Sequence, residues 1–543
     1  MVADVAGTPP ADAAQLLGDP AGLRLLTSLV SIAPTNLEDP IHGRWEKPHY
    51  VRAADQIVRT ARGFGLATRV FDPLTEGELE HELHGIPRPN VIVDLDRGAS
   101  VTVLILAHYD VVPVPAEQLA RWKSPPHTLT FRSDGRLYGR GANDDLGSGV
   151  VSSLMAMRRL AEEPNLGRNV RLLACCDEET GGEGGIESLL AHDATLPNDS
   201  PDRFIRGEVA LIPDGSPHAT AASSGVVFLD AGFDAPVPLS NVVEYGTFLI
   251  GLHEVARTWR SIYPSPDWPD FLAPEPIITG RATLTRFDIA ATPDSSGRTR
   301  LVRAHAETEA ANQIPESVTL IWEGAGPAIA QLTSRLTELA KPPFRLGPVQ
   351  ATALESPAKD RAIQVVGRSA HGGYPHASFN PVPETLRLLQ AAIDRQWVDG
   401  TTSVTGTFSI DLRLIPEMPL DSAVPSILDR VREWSALHSL HATIAAPTGR
   451  ARAGYALPVD HPAIVKLDRI LRKRLGVAGI FGEYGGTDAS SLQGVHTPRG
   501  DALPALVFGS MDRSSNIHGA EESVDPRMIQ QTAETIREFI LAP

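Results

Sequence analysis

The stretch Val101-Thr-Val-Leu-Ile-Leu-Ala-His108-Tyr-Asp110 decides how this chain is read. Its nearly unbroken apolar run, rich in β-branched residues, is the signature of a strand buried on both faces. The run stops at His108 and Asp110, two side chains that can bind a metal or move a proton. Residues 170–176 form a second such run and lead into Asp177-Glu178-Glu179; residues 209–213 form a third and lead into Asp214. Helical spacing occurs between them, at 55–64 and 149–160. Buried strands alternating with helices predict an α/β domain whose mostly parallel sheet is flanked by helices. Ligands bind beyond the carboxyl ends of strands in such sheets, so the three polar tips are expected to face one crevice.

A chain of 543 residues is too long for one core, so two or more domains are expected. The net charge of −17 argues against nucleic acid and anionic membrane surfaces as partners. The longest apolar run, 101–107, is too short to span a bilayer. No Lys or Arg precedes an apolar run at the N-terminus, so no Sec-type export signal is expected. The two cysteines, Cys175 and Cys176, are adjacent, which excludes a disulfide framework and suits a cytoplasmic setting.

The middle of the chain has a different character. Residues 221–300 are rich in Pro, Trp and turn formers and show no long periodic pattern. Then come a strand (361–366), a helix (383–393), a strand (406–414), a helix (422–434) and a strand (441–446), the order of a separate α+β unit. The tail resumes the earlier style with a helix at 463–475, a strand at 505–509 and a last helix from Pro526. The expected organisation is a catalytic domain, 1–216 and 455–543, interrupted by an inserted domain, 217–454, with two subdomains divided near residue 345.

Between the first two strand tips lies Gly139-Arg-Gly-Ala-Asn-Asp144-Asp145, a glycine-rich turn leading into a helix. No Gly-Lys-Ser/Thr follows it, so it is not a phosphate cradle. His518 sits in a polar loop after the strand at 505–509. Taken singly, these are ordinary features: most of the 17 histidines need do no more than hydrogen-bond, and an acidic triplet is usually a solvated turn. Together they are not ordinary, because carboxylates at three strand ends would repel one another in a crevice unless cations compensated them. Asp144, Glu179 and Asp214, with two neutral histidines and one hydroxide, balance the charge of two divalent ions; one ion would leave an excess of negative charge. Mixed histidine and carboxylate ligands suit Zn²⁺, with Co²⁺ or Mn²⁺ as substitutes.

These motifs resemble those of the dizinc amidohydrolase and exopeptidase family of dipeptidase V, acetylornithine deacetylase, succinyl-diaminopimelate desuccinylase, aminoacylase and carboxypeptidase G, with the dipeptidase V-like branch the nearest. The matching stretches are Leu104-Ile-Leu-Ala-His108-Tyr-Asp110, Tyr138-Gly-Arg-Gly-Ala-Asn-Asp144, Asp177-Glu178-Glu179-Thr-Gly-Gly, Pro213-Asp214 and Asn516-Ile-His518. The resemblance implies that His108 and Asp214 hold one metal, Glu179 and His518 the other, and that Asp144 bridges them. It makes Glu178 the general base and Asp110 the group that fixes the tautomer of His108.

The inserted domain resembles the family's lid. His371, in Ser369-Ala-His371-Gly-Gly, matches the lid histidine that polarises the scissile carbonyl, and Asn312, in Ala311-Asn312-Gln-Ile-Pro315, a lid residue that reaches the substrate. Arg452 falls where the dipeptidase branch keeps an arginine for the substrate carboxylate, with Arg450 and Arg413 as competitors. Gly485, Gly486 and Thr487 match a loop that approaches substrate with its backbone. Leu146 stands where many members have Lys, and Gly372-Gly373 where many have Ala or Ser; neither position is a ligand, but both bear on substrate subclass. The implied activity is dipeptidase-like hydrolysis of small carboxylate-bearing peptides. The alternatives are an N-acyl-amino-acid deacylase on the same machinery and a non-catalytic metal- or peptide-binding relative, against which the retained Glu178 counts. Either a monomer or a homodimer is compatible with the sequence.

Overall fold

The computed structural model describes residues 11–35, 49–75, 86–114, 116–197, 200–265, 277–292, 300–306, 313–323, 326–339, 350–353, 362–369, 372, 380–445 and 451–542. The chain divides into two compact units, one of Met1–Ser223, Tyr263–Asp270 and Tyr455–Pro543, the other of Ser224–Ile262 and Phe271–Gly454.

The first unit is built on a nine-stranded sheet. Its order is Ala67–Phe71, Asn90–Leu95, Asn169–Cys175, Thr102–His108, Val209–Ile212, Ala505–Val507, Ala219–Ser223 and Tyr455–Ala456, with Ile480–Glu483 also paired to Ala219–Ser223. The central pairings, from Asn169–Cys175 through Ala505–Val507, are parallel, whereas the pairings of Ala67–Phe71, Asn90–Leu95 and Tyr455–Ala456 are antiparallel. Thr102–His108 is buried from Val103 onward, as its apolar run requires. Helices flank the sheet, and three of them begin with proline behind a capping side chain: Asp19 before Pro20–Ile32, His461 before Pro462–Leu475 and Asp525 before Pro526–Leu541. Proline there needs no N–H partner, and the cap satisfies the amides that follow. The core of this unit joins the central strands to these helices through residues such as Ile105, Leu172, Leu211 and Ile536.

The second unit has a ten-stranded antiparallel sheet and its own core, in which Phe287, Trp322, Phe408 and Leu412 are buried. Strands from either side of residue 345 interleave in this one sheet: Ala362–Val366 pairs with Ser317–Glu323, and Ser403–Leu414 lies between Arg281–Ala291 and Gly225–Phe233. The region that shows no periodicity in sequence supplies the strands Gly225–Phe233 and Arg281–Ala291 and the helix Leu239–Ala256. That helix, Leu-Ser-Asn-Val-Val-Glu-Tyr-Gly-Thr-Phe-Leu-Ile-Gly-Leu-His-Glu-Val-Ala, is apolar around most of its circumference, so it lacks the amphipathic rhythm by which a surface helix is recognised.

Candidate metal centre

The geometry of the site begins with strand register. His108 is the last residue of its strand and pairs with Cys175 on one side. On the other side Ile105 pairs with Leu211, and continuing that register by three residues brings Asp214 beside His108. His108 Nε2 lies 3.9 Å from Asp214 Oδ2 and 3.7 Å from Asp145 Oδ1. Its Nδ1 faces the Asp110 carbonyl oxygen at 3.1 Å and Asp110 Oδ1 at 3.3 Å. Two acceptors on Nδ1 place the proton there and leave Nε2 directed at the carboxylates. Burial disfavours charge on this ring, yet the bond to Asp110 and the carboxylates of Asp145 and Asp214 prevail and drive its pKa well up. The position next to Asp145 and Asp214 therefore favours a cation.

The glycine-rich turn is held from both ends. Gly141 has φ +70°, and a Cβ there would stand 2.2 Å from Val111 Cγ1, so only glycine fits. Asn143 is fully buried; its Oδ1 accepts from Ser510 Oγ at 2.7 Å and its Nδ2 donates to the Ser523 carbonyl at 3.2 Å and to Ser515. From Asp144 the chain starts in wide turns, with Ser148 N–H reaching back five residues to the Asn143 carbonyl, before settling into the α-helix Ser152–Ala161. The side chain of the expected bridging ligand, Asp144, lies outside what the structure describes.

Asp177 adopts φ +65°, a left-handed conformation costing about 1 kcal/mol or more for a residue with a Cβ. Its carboxylate is held by Arg88 Nε at 2.7 Å, the Tyr50 hydroxyl at 3.2 Å and the Gly184 N–H at 3.3 Å. The chain turned in this way aims the next two N–H groups at Asp110: Glu178 N donates to Oδ1 and Glu179 N to Oδ2, each at 3.1 Å. Burial pushes the Asp110 pKa up to about 6, against the pull of His108. Glu179 Oε1 in turn faces His518 Nε2 at 2.8 Å, both side chains being 6% exposed. Burial works against ionised Glu179, but His518 outweighs it and holds the carboxyl below its ordinary range.

Among the described residues no group of three or more His, Cys, Asp or Glu side chains is gathered as a metal-holding set. Two pairs are present instead, His108 with Asp214 and His518 with Glu179, and Asp110 touches an element of each. Two nitrogen or oxygen ligands on one tetrahedral zinc ion stand about 3.4 Å apart, and the observed separations of 3.9 Å and 2.8 Å lie on either side of that distance. The donor types and spacings fit one divalent ion per pair.

The residues expected from the lid are less fully seen. His371 and Asn312, like the competitor Arg450, lie outside the described residues. Arg452 occupies a two-residue strand and pairs with Val226, which pairs with Arg413, which pairs with Arg281. These positions form one row on one face of the second unit's sheet. Arg413 is buried and engages Asp411 on its own strand through two bonds of 2.6 Å and 2.8 Å, which removes it as a free carboxylate anchor. Arg281 did not figure in the reading of the sequence. Gly485 and Gly486 lie in the loop after Ile480–Glu483, and Thr487 Oγ1 accepts the Ala489 N–H at 3.3 Å, a turn-stabilising role. Arg88, Tyr50 and Asn143 were also unforeseen as supports of the site: each acts on residues far away in sequence, no local motif marks Arg88 or Tyr50, and Asn143 lies in the glycine-rich motif without its partners being visible there.

This is the fold class of the metal-dependent exopeptidases: an α/β sheet with histidine and carboxylate pairs at its central strand tips, and an inserted α+β unit. The family model of Peptidase family M20/M25/M40 matches residues 104–542, and the chain belongs to that family. A cysteinylglycine-S-conjugate dipeptidase of Corynebacterium striatum is 25% identical over 453 residues, 82% of this chain and 81% of that protein. An uncharacterized metallohydrolase of Methanocaldococcus jannaschii is 33% identical over 138 residues; the match spans 25% of this chain and 31% of that relative. Among solved structures, a dipeptidase of Saccharomyces cerevisiae aligns with TM-score 0.54 at 12% identity, covering 97% of each chain. Human carnosine dipeptidase 1 aligns with TM-score 0.53 at 12% identity, covering 98% of each. The structural likeness speaks to fold.

Proposed function

We propose that this chain is a metal-dependent dipeptidase-like hydrolase that cleaves the amide bond of small, carboxylate-bearing peptides, with Glu178 as general base. The observation that carries this reading is the Asp110 carboxylate, which ties the His108 side to the Glu178-Glu179 turn. His108 and Asp214 would hold one divalent ion, Glu179 and His518 a second, with Asp144 between them; Zn²⁺ suits these donors, and Co²⁺ or Mn²⁺ could replace it. Such ions acidify water and polarise a carbonyl oxygen.

Glu178 adjoins Glu179 in the same turn, so its carboxylate can take the proton of the attacking water and return it to the leaving nitrogen. Asp110 keeps that turn and the His108 ring in fixed relation throughout. His371 would stabilise the developing oxyanion, which exists only in the tetrahedral state. Arg452 would hold the free carboxylate of the substrate, restricting the enzyme to short substrates. In this reading residues 217–454 act as a lid that excludes water on closing. Cys175 and Cys176 are free and buried, and no helix among the described residues is long and apolar enough to cross a membrane. The cysteines fit a reducing compartment such as the cytoplasm.

The test is a panel of dipeptides against N-acetyl- and N-succinyl-amino acids, each with Zn²⁺, Co²⁺ and Mn²⁺. Dipeptide hydrolysis faster than deacylation by tenfold or more supports the proposal; the reverse order assigns the chain to the deacylases.

A further inference from the structure

We propose that Arg140, acting with Gln118 and Glu522, is a positioning residue for His518, and this rests on the dimetal reading given above. His518 sits at φ +61° in a loop where Asn516 and Glu521 also have positive φ, at +47° and +65°. Three left-handed residues with side chains within six positions form a loop that does not hold its shape unaided.

The hairpin Thr130–Phe131/Leu137–Tyr138, extended by the strand Ser523–Val524, carries arginines at positions 132, 136 and 140, and each grips this loop or its flanks. Arg132 donates to both oxygens of Glu521. Arg136 forms a fork on Asp512, at 2.7 Å and 3.1 Å, and bonds Ser523 Oγ at 2.9 Å. Arg140 reaches deepest. Its side chain has no exposed surface, Nη1 donates to Glu522 Oε2 at 2.6 Å, and Nη2 donates to the His518 carbonyl oxygen at 3.2 Å. Gln118 Nε2 donates to that same carbonyl at 3.2 Å, and its Oε1 accepts from Arg140 Nη2 at 3.1 Å.

Two donors thus converge on the carbonyl of one residue, and the other end of that residue, Nε2, faces Glu179. Fixing the carbonyl fixes the peptide plane after His518 and so anchors the backbone from which the ring projects toward Glu179. A buried guanidinium suits this task because its rigid planar fork serves the carboxylate from one nitrogen and the carbonyl from the other, whereas an ammonium offers a single nitrogen on a flexible stem.

The experiment is equilibrium titration of the metal-free, full-length protein with Zn²⁺ against a competing chelator, with folding checked by circular dichroism. Arg140→Lys keeps a cation beside Glu522 but loses the fork, and is expected to weaken one of the two zinc sites about 10–100-fold while leaving the other unchanged. Gln118→Met removes one donor and no charge, with an expected loss of about 2–10-fold at the same site. It also decides the matter alone if Arg140→Lys does not fold. His518→Ala serves as the reference and should lose that site. If His518→Ala binds two ions as tightly as the wild type, the dimetal reading itself fails. If His518→Ala loses one site while Arg140→Lys and Gln118→Met retain wild-type affinity at both, the positioning role is overturned and the dimetal reading stands.

Discussion

The Asp110 carboxylate accepts the backbone N–H of Glu179 on Oδ2 at 3.1 Å, and its other oxygen accepts the N–H of Glu178 and faces His108 Nδ1. One buried group therefore sets the relation between His108 and Glu179, the proposed ligands of the two metals, and Glu178, the proposed general base. Asp110→Asn replaces an acceptor with an NH₂ that must confront either an N–H or the imidazole. Metal affinity should fall about 10–100-fold, as read by titration against a chelator, with the circular dichroism spectrum unchanged. Wild-type affinity would show that the Asp110 contacts are incidental.

Arg88 and Asp177 form an ion pair at 2.7 Å with side chains 7% and 5% exposed. Arg88→Met leaves a carboxylate buried beside Tyr50 with its cation gone, a change costing about 3–5 kcal/mol. The urea midpoint of the first unit should drop accordingly. Removing both charges with Arg88→Met/Asp177→Leu should cost less than the sum of the single changes if the pair is coupled.

Arg452 stands in the row of Arg281 and Arg413, and Arg413 is engaged by Asp411 of its own strand. Arg452→Met should lower kcat/KM for dipeptides about 10–100-fold, the equivalent of about 1.5–3 kcal/mol for a charge-assisted contact. Most of the change should lie in KM. A C-terminally amidated dipeptide should distinguish wild type from variant poorly; equal losses on acid and amide would assign Arg452 a structural role.

His218 carries a pH dependence that can be checked apart from the metals. Burial lowers its pKa to about 4, below the ordinary value of 6.5. The folded state therefore binds a proton less readily than the unfolded chain, and the stability due to the neutral ring is complete above 6.5. That contribution is lost as pH falls from there through about 4. Melting temperatures of the wild type and His218→Gln should accordingly change in parallel above pH 7, with the wild type falling faster between pH 6.5 and 4. Parallel curves over the whole range would contradict a buried neutral ring.

Much of the first unit was legible because its signals are local. The apolar runs at 101–107, 170–176 and 209–213 correspond to strands within a residue or so, and the polar residues that end them do converge, as the parallel register requires. The supports of the site were not legible. Asp110 bonds to N–H groups 68 and 69 residues away, and Arg140 to a carbonyl 378 residues away. An arginine between two glycines reads as a turn residue until its partners are known. The helix Leu239–Ala256 escaped for the opposite reason: only one face is buried, but Phe248, Ile250 and Val255 are apolar outside it, which blurs the periodicity that marks helices.

Glu178 gives the most direct test of the central claim. With two Zn²⁺ ions bound per chain, as verified by metal analysis, the mechanism predicts that Glu178→Ala lowers kcat for dipeptide hydrolysis about 10²–10⁴-fold while metal content and KM stay near wild type. A variant that retains both ions and full hydrolytic activity would contradict it.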